Sequence, residues 1–133
     1  MDETTTRAPG ELMRAFLARI EASDFEAVAA LLHEDAVFDL PFRVSDPITT
    51  GRDVIVESLR AGLGAFVKNI RFEVHVTYPS QDGQSAVTEY SSEGERVAGG
   101  MYRNRYISIL KARAGRIVLL REYYNPLKLA PDA

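Results

Sequence analysis

The chain has 133 residues, 46% hydrophobic and 26% charged, which suits one globular domain with a radius of gyration of about 14 Å. Its net charge of −3 argues against nucleic acid as a partner, because phosphate binding needs a concentrated positive surface, and the absence of cysteine removes disulfides, thiolate nucleophiles and thiolate metal sites. No apolar run approaches a membrane span and the polar start Met-Asp-Glu-Thr-Thr-Thr carries no secretion-signal core, so the expectation is a cytoplasmic protein without a membrane partner.

Residues 1–10 read as a loose tail, 11–127 as one domain and 128–133 as a second tail. Leu12, Phe16, Leu17 and Ile20 recur at helical spacing and predict an amphipathic helix over 11–21. Phe25, Val28, Leu31 and Leu32 outline a second short helix, capped by Ser23 or Asp24, with His33 at its end. A short strand over 36–40 stops at Pro41, and 42–50 reads as irregular. Ile55, Leu59, Leu63 and Phe66 restore helical spacing over 52–66.

The remainder is strand-like. Ile70, Phe72, Val74 and Val76 alternate with polar residues, Asp82-Gly83 marks a hairpin, and 85–93 follows, with Gly94 and Gly99-Gly100 read as breaks or bulges. Strands over 102–111 and 116–124 join across Ala114-Gly115. Helices first and a meander after predict an α+β domain with three helices on one face of a curved sheet.

The last strand, R-I-V-L-L-R-E-Y-Y-N-P over 116–126, sets Glu122 among aliphatics and two tyrosines. Strict alternation puts Val118, Leu120, Glu122 and Tyr124 on one face. A carboxyl on such a face is either ion-paired with an arginine of a neighbouring strand or desolvated, with the raised pKa that proton transfer near neutral pH uses. Tyr102, Asn104, Tyr106 and Ser108 share a face of the preceding strand, where phenols and an amide can bind a carbonyl oxygen or simply bury ring area. Asp39 is a second pocket acid or a cap on the turn before Pro41. Neither His33 nor His75 has a second histidine at ligand spacing, so no metal site is expected. Ser91-Ser92 shows no partner histidine or strained turn of a nucleophile site.

Four segments resemble the SnoaL-like, ketosteroid-isomerase-related branch of the nuclear transport factor 2-like superfamily: A-S-D-F-E-A-V-A-A-L-L-H-E-D-A-V-F at 22–38, G-R-D at 51–53, Y-R-N-R-Y at 102–106, and the tail at 115–127. The resemblance implies a cone-shaped pocket between helices and a mixed, mostly antiparallel sheet, and a homodimer formed through the outer sheet face. Ketosteroid isomerases set an aspartate base where this chain has Leu40, a tyrosine donor where it has Phe16, and an aspartate donor near Tyr106-Ile107. Limonene-type epoxide hydrolases match at the tail acid, Glu122, but their R-x-D pair falls on Arg96-Val97-Ala98. The tail is most similar to that of phenazine-biosynthesis isomerase/condensing proteins, matched by Tyr102, Asn104, Tyr106, Arg121, Glu122 and Asn125; their helix histidine falls at Ser58. The resemblance thus implies cofactor-free acid/base chemistry by Glu122 on a small cyclic or aromatic metabolite, and the strand positions of Asp39, Tyr102, Asn104, Tyr106 and Tyr124 make them the expected ligand contacts. The rival from another class is a non-catalytic binding protein using the same pocket.

Overall fold

Helix α1 (Pro9–Glu21) carries its apolar residues in one stripe, and Leu12, Met13, Phe16, Leu17 and Ile20 are all buried. It opens two residues earlier than the spacing predicts, because Pro9 suits the first helical position and the Glu11 carboxylate accepts the Ala8 N–H at 3.0 Å. Asp24 caps α2 (Phe25–Leu31), its Oδ1 accepting the Ala27 N–H at 3.1 Å. This computed structural model describes residues 7–130. The predicted tails therefore lie partly outside the described residues.

Strand β1 (Leu32–Asp39) starts directly at the end of α2, so His33 is a strand residue rather than a helix terminus. Its Nδ1 accepts the Asp35 N–H at 3.1 Å, a bond local to the strand. Within the stretch read as irregular, β2 (Ile48–Thr50) pairs antiparallel with β1. Helix α3 (Arg52–Phe66) has the predicted bounds. Strands β3 (Val67–Pro79), β4 (Ser85–Arg96), β5 (Met101–Arg113) and β6 (Arg116–Tyr124) follow, ending in a 3-10 turn at Pro126–Lys128. Gly94 lies inside β4 rather than breaking it; a Cβ there would sit 2.7 Å from Val67 Cγ2, so the close β3–β4 approach requires glycine.

The six strands form one mixed sheet in the order β2-β1-β6-β5-β4-β3, with β1 and β6 parallel and the other pairs antiparallel. Two bulges change what simple alternation predicts. In β3 the pairing jumps from Val74↔Tyr90 to Val76↔Glu89, so His75 is the extra residue and Val76 falls beside Glu89 while Thr77 turns inward beside Thr88. In β6 it jumps from Lys111↔Leu119 to Ala112↔Ile117, so Val118 is extra and the fully buried Ile117 takes its place inside. Each bulge adds local twist and bend, which helps the sheet curl around the helices and leave space under them.

Candidate functional site

The inner face of the curled sheet and the undersides of α1 and α3 enclose a cavity of about 420 Å³. That lies in the lower half of the roughly 300–1,000 Å³ range of small-molecule sites. Its wall is mostly aliphatic and aromatic: Leu17 and Ile20 from α1, Leu59 and Leu63 from α3, Phe72 from β3. Polar character comes from Glu122, Tyr102, Tyr106 and Tyr124, with Arg43, Thr49 and Ser58. Among the described residues Glu122 is its only carboxylate.

Glu122 pairs with Ser108 across β5–β6, and this register turns both side chains inward. The Tyr90 hydroxyl donates to Glu122 Oε2 at 2.8 Å and lies 2.7 Å from Ser108 Oγ. Since the phenol proton is committed to the carboxylate, Ser108 donates to Tyr90. Among the described residues no lysine, arginine or histidine forms an ion pair with Glu122, and its Oε1 has no hydrogen-bond partner. Burial without a counter-charge pushes the carboxyl up to about 7 from its ordinary 4.5, and the Tyr90 hydrogen bond offsets part of that rise. The group is thus held near the midpoint of its titration at neutral pH, which is where a carboxyl can both take and return a proton.

A second polar group continues along β5. Tyr106 Oη lies 2.7 Å from Ser92 Oγ and 3.0 Å from Tyr102 Oη, and its ring stacks on Tyr90 with centroids 4.8 Å apart. Burial first, then the charge of neighbouring groups, raises the Tyr106 phenol well above its ordinary value, and burial likewise raises Tyr102, so both stay protonated. Tyr124 sits in the wall with its phenol raised by partial burial and by the Glu122 charge.

Two predicted ligand contacts are placed elsewhere. Asp39 faces away from the cavity, where its Oδ2 accepts from Arg121 Nε at 2.8 Å. The arginine pairing considered for Glu122 therefore goes to Asp39, because Arg121 points out where its neighbour Glu122 points in. Asn104 is buried and internally satisfied: its Oδ1 accepts the Arg105 and Asn125 N–H groups at 2.8 and 3.1 Å, and its Nδ2 donates to Tyr102 Oη and to the Asn125 carbonyl. It positions Tyr102 and the end of β6 instead of lining the cavity. Phe16, Leu40 and Ser58 do line it, so three positions where relatives of the resembled branch carry acids, phenols or histidines are here apolar or small. Ser91 has a histidine after all, His75 Nε2 lying 2.9 Å from its Oγ, with Glu73 3.9 Å beyond, but the group lies on the exposed outer face of the sheet. Among the described residues no group of three potential ligands stands at metal-binding distance.

The sequence left open whether Glu89 or Tyr90 faces the cavity, and the structure turns Tyr90 inward. Alternation allows only Glu89 or Tyr90 to face inward, and the interruption read at Gly94 hid the continuous β4–β5 ladder that sets Tyr90 opposite Tyr106. Arg96 was missed. Its guanidinium is buried between the Phe66 and Tyr102 rings and donates to the carbonyls of Lys128, Leu129 and Ala130, so this part of the predicted C-terminal tail is fastened to the domain and brings Leu129 to the cavity wall.

Residues 13–120 match the model of the SnoaL-like domain, which covers most of the chain and stops just short of Glu122. A PhzA/B-like protein of Pseudomonas aeruginosa, itself uncharacterized, is 29% identical over 121 residues, 89% of this chain and 84% of that one. A Bacillus subtilis protein provisionally named an isomerase superposes with a TM-score of 0.82 at 29% identity, covering 90% of this chain and 87% of its own. A Mycobacterium tuberculosis protein solved with estradiol-17β-hemisuccinate superposes with a TM-score of 0.78 over 92% of this chain and 98% of its own; at 19% identity it shows likeness of fold alone. The extent of the match, the order of helices and strands and the solved neighbours agree: the chain belongs to the SnoaL-like domain family and adopts its nuclear transport factor 2-like α+β fold.

Proposed function

We propose that the chain binds a small, apolar cyclic or aromatic metabolite in the cavity and moves a proton on it with Glu122. The observation that carries this reading is a carboxyl with no ion-pair partner among the described residues, one oxygen fixed by Tyr90 and the other unpartnered, in the wall of a mostly apolar cavity. In its ionised form Glu122 takes a proton from a carbon next to a carbonyl; the C–H electrons move onto the carbonyl oxygen as an enolate. Return of the proton to another carbon gives isomerisation, and attack of the enolate carbon on an electrophile gives cyclisation or condensation. No step calls for a metal or organic cofactor. The same cavity serves a second reading, a binding protein that sequesters a metabolite, favoured by the lack of a second carboxyl or a histidine in its wall among the described residues.

Solvent exchange separates the two without the natural substrate. A cyclic ketone such as 2-tetralone is incubated with the protein in deuterated buffer, and deuterium entry beside its carbonyl is followed by NMR. Acceleration that Glu122→Gln abolishes supports catalysis; saturable binding with exchange at the buffer rate supports the binding reading and rejects the catalytic one.

Assembly as a homodimer through the outer sheet face is part of the same proposal. The exposure of Ile107, Met101 and Tyr78 there supports it, since apolar side chains of that size gain from being covered. Sedimentation at micromolar concentration tests it, a monomer being the contrary result.

A further inference from the structure

The hydroxyl chain at the Tyr102 end of the cavity holds one more proton than it can place. Ser92, Tyr106 and Tyr102 contribute three hydroxyl protons, and only two contacts join them, Ser92–Tyr106 at 2.7 Å and Tyr106–Tyr102 at 3.0 Å. A hydrogen bond uses one proton, so whichever way the links run, one hydroxyl is left to donate elsewhere. Asn104 cannot take it. Its amide orientation is fixed by the two backbone N–H groups on Oδ1, which leaves Nδ2 facing Tyr102 Oη as a further donor at 2.8 Å. Among the described residues these three hydroxyls have no other side-chain or carbonyl acceptor within hydrogen-bond reach.

The position of the spare proton is also restricted. Ser92, 6% exposed, is absent from the cavity wall and borders only a depression shared with Arg71, Ser91 and Arg103, while its hydroxyl is turned to Tyr106; Tyr102 and Tyr106, at 5% and 8%, line the cavity. Leaving the proton on Ser92 would bury an unpaired donor, so it settles on a phenol that faces the cavity. The Glu122 end differs: Ser108 donates to Tyr90 and Tyr90 to Glu122, and every hydroxyl proton there has an acceptor.

We infer that the Tyr102–Tyr106 pair is a subsite for an acceptor oxygen of the ligand, a ring ketone, quinone or lactone carbonyl, and that it selects against an ammonium at the same position. A carbonyl oxygen accepts the spare proton; a hydrocarbon edge leaves it unpaired, and an ammonium, which has no lone pair, meets a second donor. The inference rests on the reading of the cavity as a ligand site, but its outcome is read from binding and does not depend on Glu122 transferring a proton.

Three molecules of one skeleton test it: 1-tetralone, tetralin and protonated 1-aminotetralin, each titrated by protein-observed NMR. At pH 5, where Glu122 holds its proton and offers an ammonium no counter-charge, the expected order is tetralone about tenfold tighter than tetralin, the worth of one hydrogen bond to a well-placed donor, with aminotetralin weakest. The double substitution Tyr102→Phe with Tyr106→Phe removes the tetralone advantage. Should that variant not fold, the carbonyl stretch of tetralone bound to the unaltered protein decides, since a hydrogen-bonded carbonyl absorbs at lower frequency. Equal binding of tetralone and tetralin, an unshifted stretch, or no saturable tetralone binding each overturns the inference. Deuterium exchange tests Glu122 separately, so either idea can fail while the other stands.

Discussion

Replacing Glu122 by glutamine should stabilise the protein, and more so as the pH rises. The folded carboxyl titrates at about 7 against an ordinary value of 4.5. Between those values the unfolded chain has released the proton and the folded one still holds it. Folding therefore takes up a proton, and stability of the natural protein falls as pH rises through this window. Below about 4.5 the carboxyl is neutral in both states and the penalty vanishes; above about 7 it is complete. At about 1.4 kcal/mol per pH unit the full difference of about 2.5 amounts to about 3 kcal/mol, and the part accrued between pH 5 and 8 to about 2 kcal/mol. Glutamine keeps the acceptor for Tyr90, carries no charge at any pH and so escapes this dependence. Chemical denaturation of both proteins at pH 5 and pH 8, at matched salt and protein concentration, reads the effect. The variant's advantage should be about 2 kcal/mol larger at pH 8. An advantage that is the same at both pH values would refute the claim that the carboxyl is desolvated and unpaired.

Three further substitutions separate the parts of the site. Tyr90→Phe removes the one hydrogen bond that pulls the Glu122 carboxyl down, so its midpoint should move above 7, while stability drops by about 1 kcal/mol; an unchanged midpoint means the bond does not tune the acid. Arg96→Ala removes the guanidinium that holds three C-terminal carbonyls, at a cost of about 2–4 kcal/mol, and amide exchange across 126–130 should speed up with little change at β1; exchange unaltered there argues against a clasp. Asp39→Asn breaks a part-exposed pair with Arg121 and should cost about 1 kcal/mol or less, leaving the Glu122 titration in place, because the two carboxyls lie on opposite faces of the sheet. A moved Glu122 midpoint in that variant would place Asp39 in the site after all.

The helices, the hairpins and the inward face of β5 were legible in the sequence because each rests on a local period: 3.6 for Leu12, Phe16 and Ile20, two for Tyr102, Asn104, Tyr106 and Ser108. What was not legible depends on register. The His75 and Val118 bulges shift later residues by one, and nothing in V-H-V-T or I-V-L-L announces them. Ion-pair choice was hidden for a related reason. Asp39 and Arg121 are adjacent only because β1 lies parallel to β6, a long-range pairing that composition does not reveal. Asn104 shares the inward face with the cavity tyrosines, yet its amide is used up by Asn125, a partner twenty-one residues away whose backbone the periodicity of β5 cannot see.

The account rests on Glu122 being an unpaired acid inside a low-polarity cavity. A carbon-13 NMR titration of the side-chain carboxyls, with the Glu122 signal identified by its loss in Glu122→Gln, reads that state directly. A midpoint near pH 7 is the expected result. A midpoint close to the ordinary 4.5 would contradict it.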